Sequence, residues 1–428
     1  MRRRFLLSTA AADLGSLLVA FVVASLVTFD TLWPWDARLV PGNSMWPLLG
    51  FFVGSAVASS IFSVMTWAGS APRPSYGRGL SVVLIGVSLT ALAVVVSRVY
   101  WSRPFLGTTA VVWLLGTITH RAIRRRTPWT EQMVLVTAEK ELVEHLRDAP
   151  HADVLNVLDP GRAGDLDPIP PEVTLVVDLR SVLSDRMAQY VSSCTISGTT
   201  TRALTNVYEE HTGRLPIVHL AEGWELREPA IKTAPYQVAK RIIDVVLVAV
   251  AAPLALVTTM ALALLVRLSS SGPAIFKQCR IGLNGRRFTL YKLRTMRADA
   301  ERAGPRFATL DDDRLVPAGK FLRKSRLDEL PQLWNVLKGD LSLVGPRPEQ
   351  ESFVEQFNAE IPFYAQRHLI RPGVTGWAQV KYGYADDEAD TIEKLTYDLY
   401  YVKNMSIWLD LYILGESIWT VLSGNGAR

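Results

Sequence analysis

The chain has almost no cysteine. Cys194 and Cys279 are the only two among 428 residues, and they offer neither a disulfide framework nor metal-ligand spacing. They read as incidental residues of a reducing, cytosolic face. Histidine is sparse in the last block, where His368 stands alone, and one isolated imidazole does not indicate a metal centre. No Gly-rich turn follows the first β-prone run of the middle region, which passes into Thr137-Ala138-Glu139; a backbone that approaches a pyrophosphate needs one. No internal repeat or low-complexity tract is present. A large excess of one charge is missing too, since 46 Lys+Arg against 41 Asp+Glu leave a net charge of +5. Where the charges sit therefore matters more than their sum, and nucleic acid is not an expected partner.

Apolar length is what the chain has. Hydrophobic residues make up 49% of it, and they are clustered. Four apolar segments fill the first third: Phe5–Phe29, Met45–Trp67, Leu80–Ser97 and Phe105–Thr119. A bilayer core of about 30 Å is within reach of each, although the last two are short. Arg2–Arg4 precede the first, as in a signal peptide, but its length and the three spans behind it favour a membrane helix. Basic flanks at Arg2–Arg4, at Arg73 and Arg78, and at Arg121–Arg126 place the N-terminus and everything after residue 126 in the cytosol.

Three units are expected: a four-span transmembrane domain over 1–126, a Rossmann-like α/β domain over 131–225, and a final unit over 236–428. In the α/β unit, the β-prone runs Met133–Thr137, Val154–Asp159 and Thr174–Leu179 alternate with helical stretches Lys140–Asp148 and Val182–Ser192, which predicts a parallel sheet. Without the Gly-rich turn, this domain is expected to be a non-catalytic scaffold or regulatory module. A fifth apolar segment, Val245–Val266, has basic residues on both sides: Lys240 and Arg241 before it, Arg267 and Lys277 after it. Both ends should prefer the cytosol. Pro253 near its middle removes a backbone hydrogen bond and should bend the helix, so a re-entrant membrane helix reconciles length, flanks and proline.

The residues that could carry chemistry lie in the last unit. Asp328 and Glu329 are adjacent carboxylates in a stretch rich in Arg and Lys. A cationic setting suits a phosphorylated substrate, and carboxylates within it can hold Mg²⁺ or attack phosphorus. Taken alone, such a pair is more often a solvated helix face. Leu327, Leu330, Trp334 and Leu337 recur at helical spacing and predict one buried face around it. Lys292 and Arg294 should share one face of a strand and suit a diphosphate. Arg347 sits between Pro346 and Pro348, whose fixed backbone can pre-aim its guanidinium at a phosphate. Arg371–Gln379 is a Gly-punctuated loop in which Trp377 and Gln379 are stacking or hydrogen-bonding candidates. Asp311–Asp313 lacks the spaced ligands of a calcium loop and reads as a solvated turn. The aromatic-rich end, Tyr397–Leu422, suits either the headgroup region or an ordinary core helix.

Together these stretches resemble the bacterial sugar transferases, the monotopic polyprenyl-phosphate phosphoglycosyl transferases. The resemblance rests on Lys240-Arg241-Ile-Ile-Asp244, Lys-Leu-Arg-Thr-Met (292–296), Arg-Leu-Asp-Glu-Leu-Pro-Gln-Leu-Trp-Asn (326–335), Gly-Asp-Leu-Ser-Leu-Val-Gly-Pro-Arg-Pro (339–348) and Pro-Gly-Val-Thr-Gly-Trp-Ala-Gln (372–379). The four spans and the α/β domain resemble its long, exopolysaccharide-priming subgroup. The resemblance implies a mainly α, monotopic catalytic domain at the cytosolic face of the bacterial inner membrane. It implies transfer of a sugar-1-phosphate from a UDP-sugar, by default glucose or galactose, to undecaprenyl phosphate, with release of UMP. It implies Asp328 as nucleophile, Glu329 as the Mg²⁺ ligand, and Lys292, Arg294 and Arg347 as phosphate ligands. Gln379 and Asp398 join the expected substrate site, Asp398 matching an acidic family position. Ala252-Pro253 replaces the family's Ser-Pro at the membrane break, which removes one backbone cap. Whether the protein is a homo-oligomer is left open.

Overall fold

The structure, a computed structural model, describes residues 2–33, 50–57, 76–97, 102–126, 130–162, 166–170, 172–217, 234–297, 300, 314–382 and 388–423. Uninterrupted apolar runs become long helices, because a backbone taken out of water must satisfy its polar groups internally. Helices α1 (Arg2–Phe29) and α2 (Tyr76–Ser97) are long and apolar enough to cross a membrane. Of the expected second span, 50–57 is helical and the rest lies outside the described residues, as does Asp311–Asp313. Helix α3 (Arg103–Arg125) starts where the Ser102 hydroxyl accepts a bond from the Phe105 amide. It covers the fourth expected span, yet it is not among the described helices apolar enough to cross. Its final turns are charged, from His120 to Arg125.

These helices pack through Leu17, Phe21 and Ala24 of α1, Val82 and Val83 of α2, and Phe105 and Trp113 of α3. One charge is buried among them. The Asp13 carboxylate accepts from Arg121 Nη1 at 2.5 Å, Arg121 Nη2 at 2.8 Å and His120 Nε2 at 2.8 Å. Ionisable groups in such surroundings persist only when paired, and this pair joins α1 to α3.

The α/β unit contains β1 (Glu131–Val136), α4 (Lys140–Arg147), β2 (Ala152–Leu158), β3 (Thr174–Val177), α5 (Asp185–Ile196), β4 (Thr201–Ala203) and α6 (Leu204–Thr212). Its four strands are all parallel, in the order β2-β1-β3-β4. Strand β4 and helix α6 carry too short an alternation to be legible in advance. The connections after neighbouring strands β1 and β3 run to opposite sides, to β2 and to β4, the position where such sheets bind ligands. Here that crevice is filled by the protein itself. The buried Asp178 carboxylate accepts from Thr137 Oγ1 (3.0 Å), Ser181 Oγ (2.9 Å) and the Arg180 amide (2.9 Å). A carboxylate there repels a phosphate, in keeping with the missing glycines.

Helix α7 (Ala234–Ser269) carries Pro253 inside it and exposes Val250, Leu254, Val257, Met260, Leu264 and Leu268. A β-hairpin follows, β5 (Ile275–Ile281) and β6 (Arg287–Leu293), closed by a turn in which Asn284 and Gly285 take positive φ. Then come α8 (Gly319–Lys324), a 3₁₀ turn (Leu327–Glu329), α9 (Gln332–Lys338), β7 (Ser342–Val344) and α10 (Glu351–Glu360). The last elements are a 3₁₀ segment (Tyr364–Leu369), β8 (Gly373–Thr375), α11 (Trp377–Lys381), α12 (Glu388–Asn404) and α13 (Ile407–Ser423).

Both ends of α7 are fastened to this last unit. Near its start, Arg241 donates to the carbonyls of Val336 and Leu337 in the last turn of α9 (2.6 and 2.8 Å), and Val248 packs in one cluster with Leu290, Val336 and Leu341. Near its finish, Val266 packs with Leu293 and Leu322. Val248 and Val266 are 18 residues apart, or about 27 Å along a straight helix. Leu290 and Leu293 are only about 10 Å apart along β6. The two anchors lie on either side of Pro253, and each falls in a cluster with a residue of β6.

Asp244 strengthens the first anchor by accepting from Ser342 Oγ (2.7 Å) and the Leu343 amide (3.3 Å). Asp244→Ala orphans both donors and should lower stability by about 1–3 kcal/mol. Thermal unfolding of the detergent-solubilised chain measures this, and an unchanged midpoint would refute the anchor.

The α/β unit docks on the last unit beside α11 and α12. Trp377 Nε1 donates to the Gly213 carbonyl (2.8 Å), Arg214 Nε to Tyr397 Oη (2.8 Å), and Lys403 pairs with Glu209 (2.8 Å).

Candidate active site

Asp328 and Glu329 do not lie on a long helix. They occupy the 3₁₀ turn between α8 and α9, which the chain enters through Arg326 in the left-handed region (φ 54°). Pro331 then restarts the helix, so the expected apolar face is out of phase. Gln332, Asn335 and Val336 are the buried residues of α9, while Trp334 is 58% exposed. The turn holds both carboxylates inward: Asp328 is 8% and Glu329 9% exposed.

Buried Asn335 sets what faces them. Its side chain donates to the Thr289 carbonyl (2.7 Å) and accepts from the Tyr291 amide (3.2 Å), which locks α9 to β6. Lys292, the next residue of β6, thereby reaches Glu329 Oε1 at 3.2 Å. Arg347 Nη2 reaches the same oxygen at 3.2 Å from the Pro346–Pro348 ribbon. That ribbon begins at Gly345, where a Cβ would run into the Arg371 carbonyl, so β7 and β8 can meet only with glycine there.

The two carboxylates differ in state. Burial pushes Glu329 up, but the charges of Lys292 and Arg347 outweigh it and hold the carboxyl down at about 2. Among the described residues, Asp328 makes no ion pair. Burial, reinforced by the charge of Glu329, pushes its carboxyl up to about 6. Burial also draws the Lys292 ammonium below its ordinary value, with Glu329 pulling it back.

Three predicted site residues lie elsewhere. Strand β6 ends at Leu293, so Arg294 does not share the face of Lys292. Its guanidinium instead caps the end of α7, donating to the Ser271 carbonyl (2.6 Å) and to the carbonyl and hydroxyl of Ser270 (2.9 and 2.7 Å). Asp398, 4% exposed, is paired with buried Arg367 (2.7 Å), and burial pushes it up to about 6 in spite of that partner. Trp377 is buried on Gly213 and is not available to stack on a base. Gln379 follows it on α11, with both amide atoms buried and no hydrogen-bond partner among the described residues. Burial, with Arg367 beside it, pulls His368 down to about 4, so its imidazole is neutral at pH 7.

Asn335, Arg241 and Arg367 were not foreseen as site-building residues. Asn335 and Arg241 stood inside the quoted motifs, but their partners are 44 and 95 residues away.

The donor set can be weighed against Mg²⁺. Among the described residues no third acid or imidazole joins the pair into a closed cage. Mg²⁺ ordinarily takes one or two carboxylates and completes its shell with water and substrate phosphates. Two adjacent carboxylates, one of them unpaired, fit that habit.

The turn thus holds Glu329 between two cations and Asp328 buried beside it. The chain is similar to known proteins over this unit. The bacterial sugar transferase family model matches residues 235–424. The chain is 44% identical over 258 residues to the UDP-N-acetylgalactosamine-undecaprenyl-phosphate N-acetylgalactosaminephosphotransferase of Aeromonas hydrophila, covering 59% of this chain and 60% of that one. It is 40% identical over 215 residues to the UDP-glucose:undecaprenyl-phosphate glucose-1-phosphate transferase of Xanthomonas campestris pv. campestris (49% and 43%). It is 40% identical over 194 residues to the transferase of that description from Caulobacter vibrioides (44% and 71%). This chain belongs to the bacterial sugar transferase family. It spans less than two thirds of the length of the first two relatives.

Proposed function

We propose that this protein is an Mg²⁺-dependent undecaprenyl-phosphate sugar phosphotransferase that primes exopolysaccharide, capsule or O-antigen synthesis. It moves a sugar-1-phosphate from a UDP-sugar to undecaprenyl phosphate and releases UMP. The observation that carries this reading is the asymmetry of the dyad, with Glu329 locked between two cations and Asp328 buried without an ion pair among the described residues.

Asp328 is the nucleophile. Its carboxylate oxygen bonds to the sugar-bearing phosphorus while the bond to the bridging oxygen breaks, and UMP departs with that electron pair. A phosphate oxygen of the lipid then attacks the same phosphorus and frees Asp328. Lys292 and Arg347 take diphosphate oxygens, and the unsatisfied amide of Gln379 gains a partner when substrate binds. Asp328 and Glu329 would hold Mg²⁺, which when bound neutralises charge on the diphosphate. Such chemistry needs placement and neutralisation more than a strong base.

The catalytic unit lies on the cytosolic face of the bacterial inner membrane, in a multi-pass chain whose α7 enters and leaves by one leaflet. The apolar exposed face of α7, the Pro253 between its two anchors and the exposed Trp408 and Trp419 of α13 support this placement. The sugar is decided by a panel of UDP-glucose, UDP-galactose and UDP-N-acetylgalactosamine. The last is included because a relative that transfers N-acetylgalactosamine phosphate aligns over 258 residues. The full chain in nanodiscs, with Mg²⁺ and undecaprenyl phosphate, should release UMP from at least one of them. No release from any overturns the assignment.

A further inference from the structure

Pro346 and Pro348 have no amide hydrogen, so the ribbon that carries Arg347 is held mainly through its carbonyls. Four consecutive carbonyls are held. The Gly373 amide donates to Pro346 (2.9 Å), Arg367 Nη2 to Arg347 (2.9 Å), Arg280 Nη1 to Pro348 (2.9 Å), and the Ile281 amide to Glu349 (3.0 Å). The bond to the carbonyl of Arg347 itself comes from a buried guanidinium.

That guanidinium is fixed in turn. Arg367 Nη1 donates to Tyr364 Oη at 2.6 Å, and Nη2 is shared between the Arg347 carbonyl and Asp398 Oδ2 at 2.7 Å. Arg367 and Asp398 are both buried, and the Asp398 carboxylate faces the arginine instead of the dyad.

We propose that Arg367 and Asp398 are a positioning pair for Arg347: Asp398 orients Arg367, and Arg367 fixes the backbone from which the Arg347 guanidinium reaches the anion beside Asp328 and Glu329. The inference rests on the reading that Arg347 binds a substrate phosphate. It gives Asp398 a task away from the substrate. A planar fork is required at position 367, because Nη1 must reach Tyr364 Oη while Nη2 serves a carboxylate and a carbonyl.

Removing one partner of a buried pair leaves an uncompensated charge and can unfold the chain. The test therefore uses the near-isosteric neutral pair Arg367→Gln/Asp398→Asn, with Arg367→Lys as the variant that keeps the charge and loses the fork. The probe is UMP binding with Mg²⁺ to the full chain in nanodiscs, read beside the thermal midpoint, in the parent and in an Arg347→Gln background. Positioning through Arg347 predicts binding weakened about tenfold in the parent and no further weakening in the Arg347→Gln background, the signature of residues acting as one unit. Unchanged UMP binding in a folded double variant, or an equal loss in both backgrounds, overturns the positioning role alone. Failure of the parent to bind UMP overturns the functional reading, and this proposal with it.

Discussion

Asp328→Asn should stop UMP release, a loss of at least about 10³-fold, while the protein stays folded. An amide oxygen of the same shape is neutral and a poor nucleophile. Asp328 balances no cation among the described residues, so the change leaves no partner exposed. Its carboxyl is raised to about 6 by burial and by Glu329. For an acid raised in the folded state, the contribution to stability is fully present below the ordinary value of 3.8 and is lost as pH rises through about 6. The neutral amide removes that loss, so the thermal midpoint at pH 7 should hold or rise. In the parent, UMP release should climb with pH through about 6 and level off above it, where the nucleophile is ionised. Incubation with a labelled UDP-sugar and no lipid acceptor should leave sugar phosphate on the parent and none on the variant. Full turnover by Asp328→Asn would sink the covalent mechanism.

Glu329→Gln should act in the opposite way on stability. Glu329 balances Lys292 and Arg347, each at 3.2 Å from one of its oxygens. Its carboxyl is held at about 2, so its contribution is present above the ordinary value of 4.5 and is lost as pH falls through about 2. At pH 7 the amide removes that contribution, leaves two cations crowded together and lowers the midpoint. UMP release should fall about 10²–10³-fold, the scale of losing one electrostatic anchor in a preorganised site. The residual activity carries a second signature. The negative charge of Glu329 is one cause of the raised Asp328 carboxyl, so the acid limb of the pH profile should move below 6. A variant with an unmoved limb and an unchanged midpoint would show that Glu329 does not organise the site.

Much of the fold was legible because its signals are local. The long apolar runs forecast α1, α2 and α7 through length alone. Three of the four parallel strands announced themselves as β-prone runs, and the missing glycines agreed with a crevice closed by Asp178. The carboxylate pair was legible because its two residues are adjacent and its cations recur within short motifs. Arg294 was misplaced because its direction depends on where β6 stops, one residue earlier than simple alternation supposes. Trp334 was misplaced because Pro331 resets the helical phase, and residues before and after it no longer share a face. Trp377 was read as a stacking group because a buried tryptophan and an exposed one look alike in a motif.

The sequence by itself determined the family, through short ordered motifs around Asp328 and Glu329 and a basic-flanked apolar segment upstream of them. Tertiary structure alone decided which side chains meet. It put Lys292 and Arg347 on Glu329, left Asp328 without an ion pair among the described residues, gave Arg294 to the end of α7 and gave Asp398 to Arg367. The physical reason is distance along the chain. Asp398 and Arg367 are 31 residues apart, and Lys292 and Glu329 are 37. Such pairs form only after strand ends and helix phases have fixed where each backbone points, and only then does burial set the two carboxylates apart.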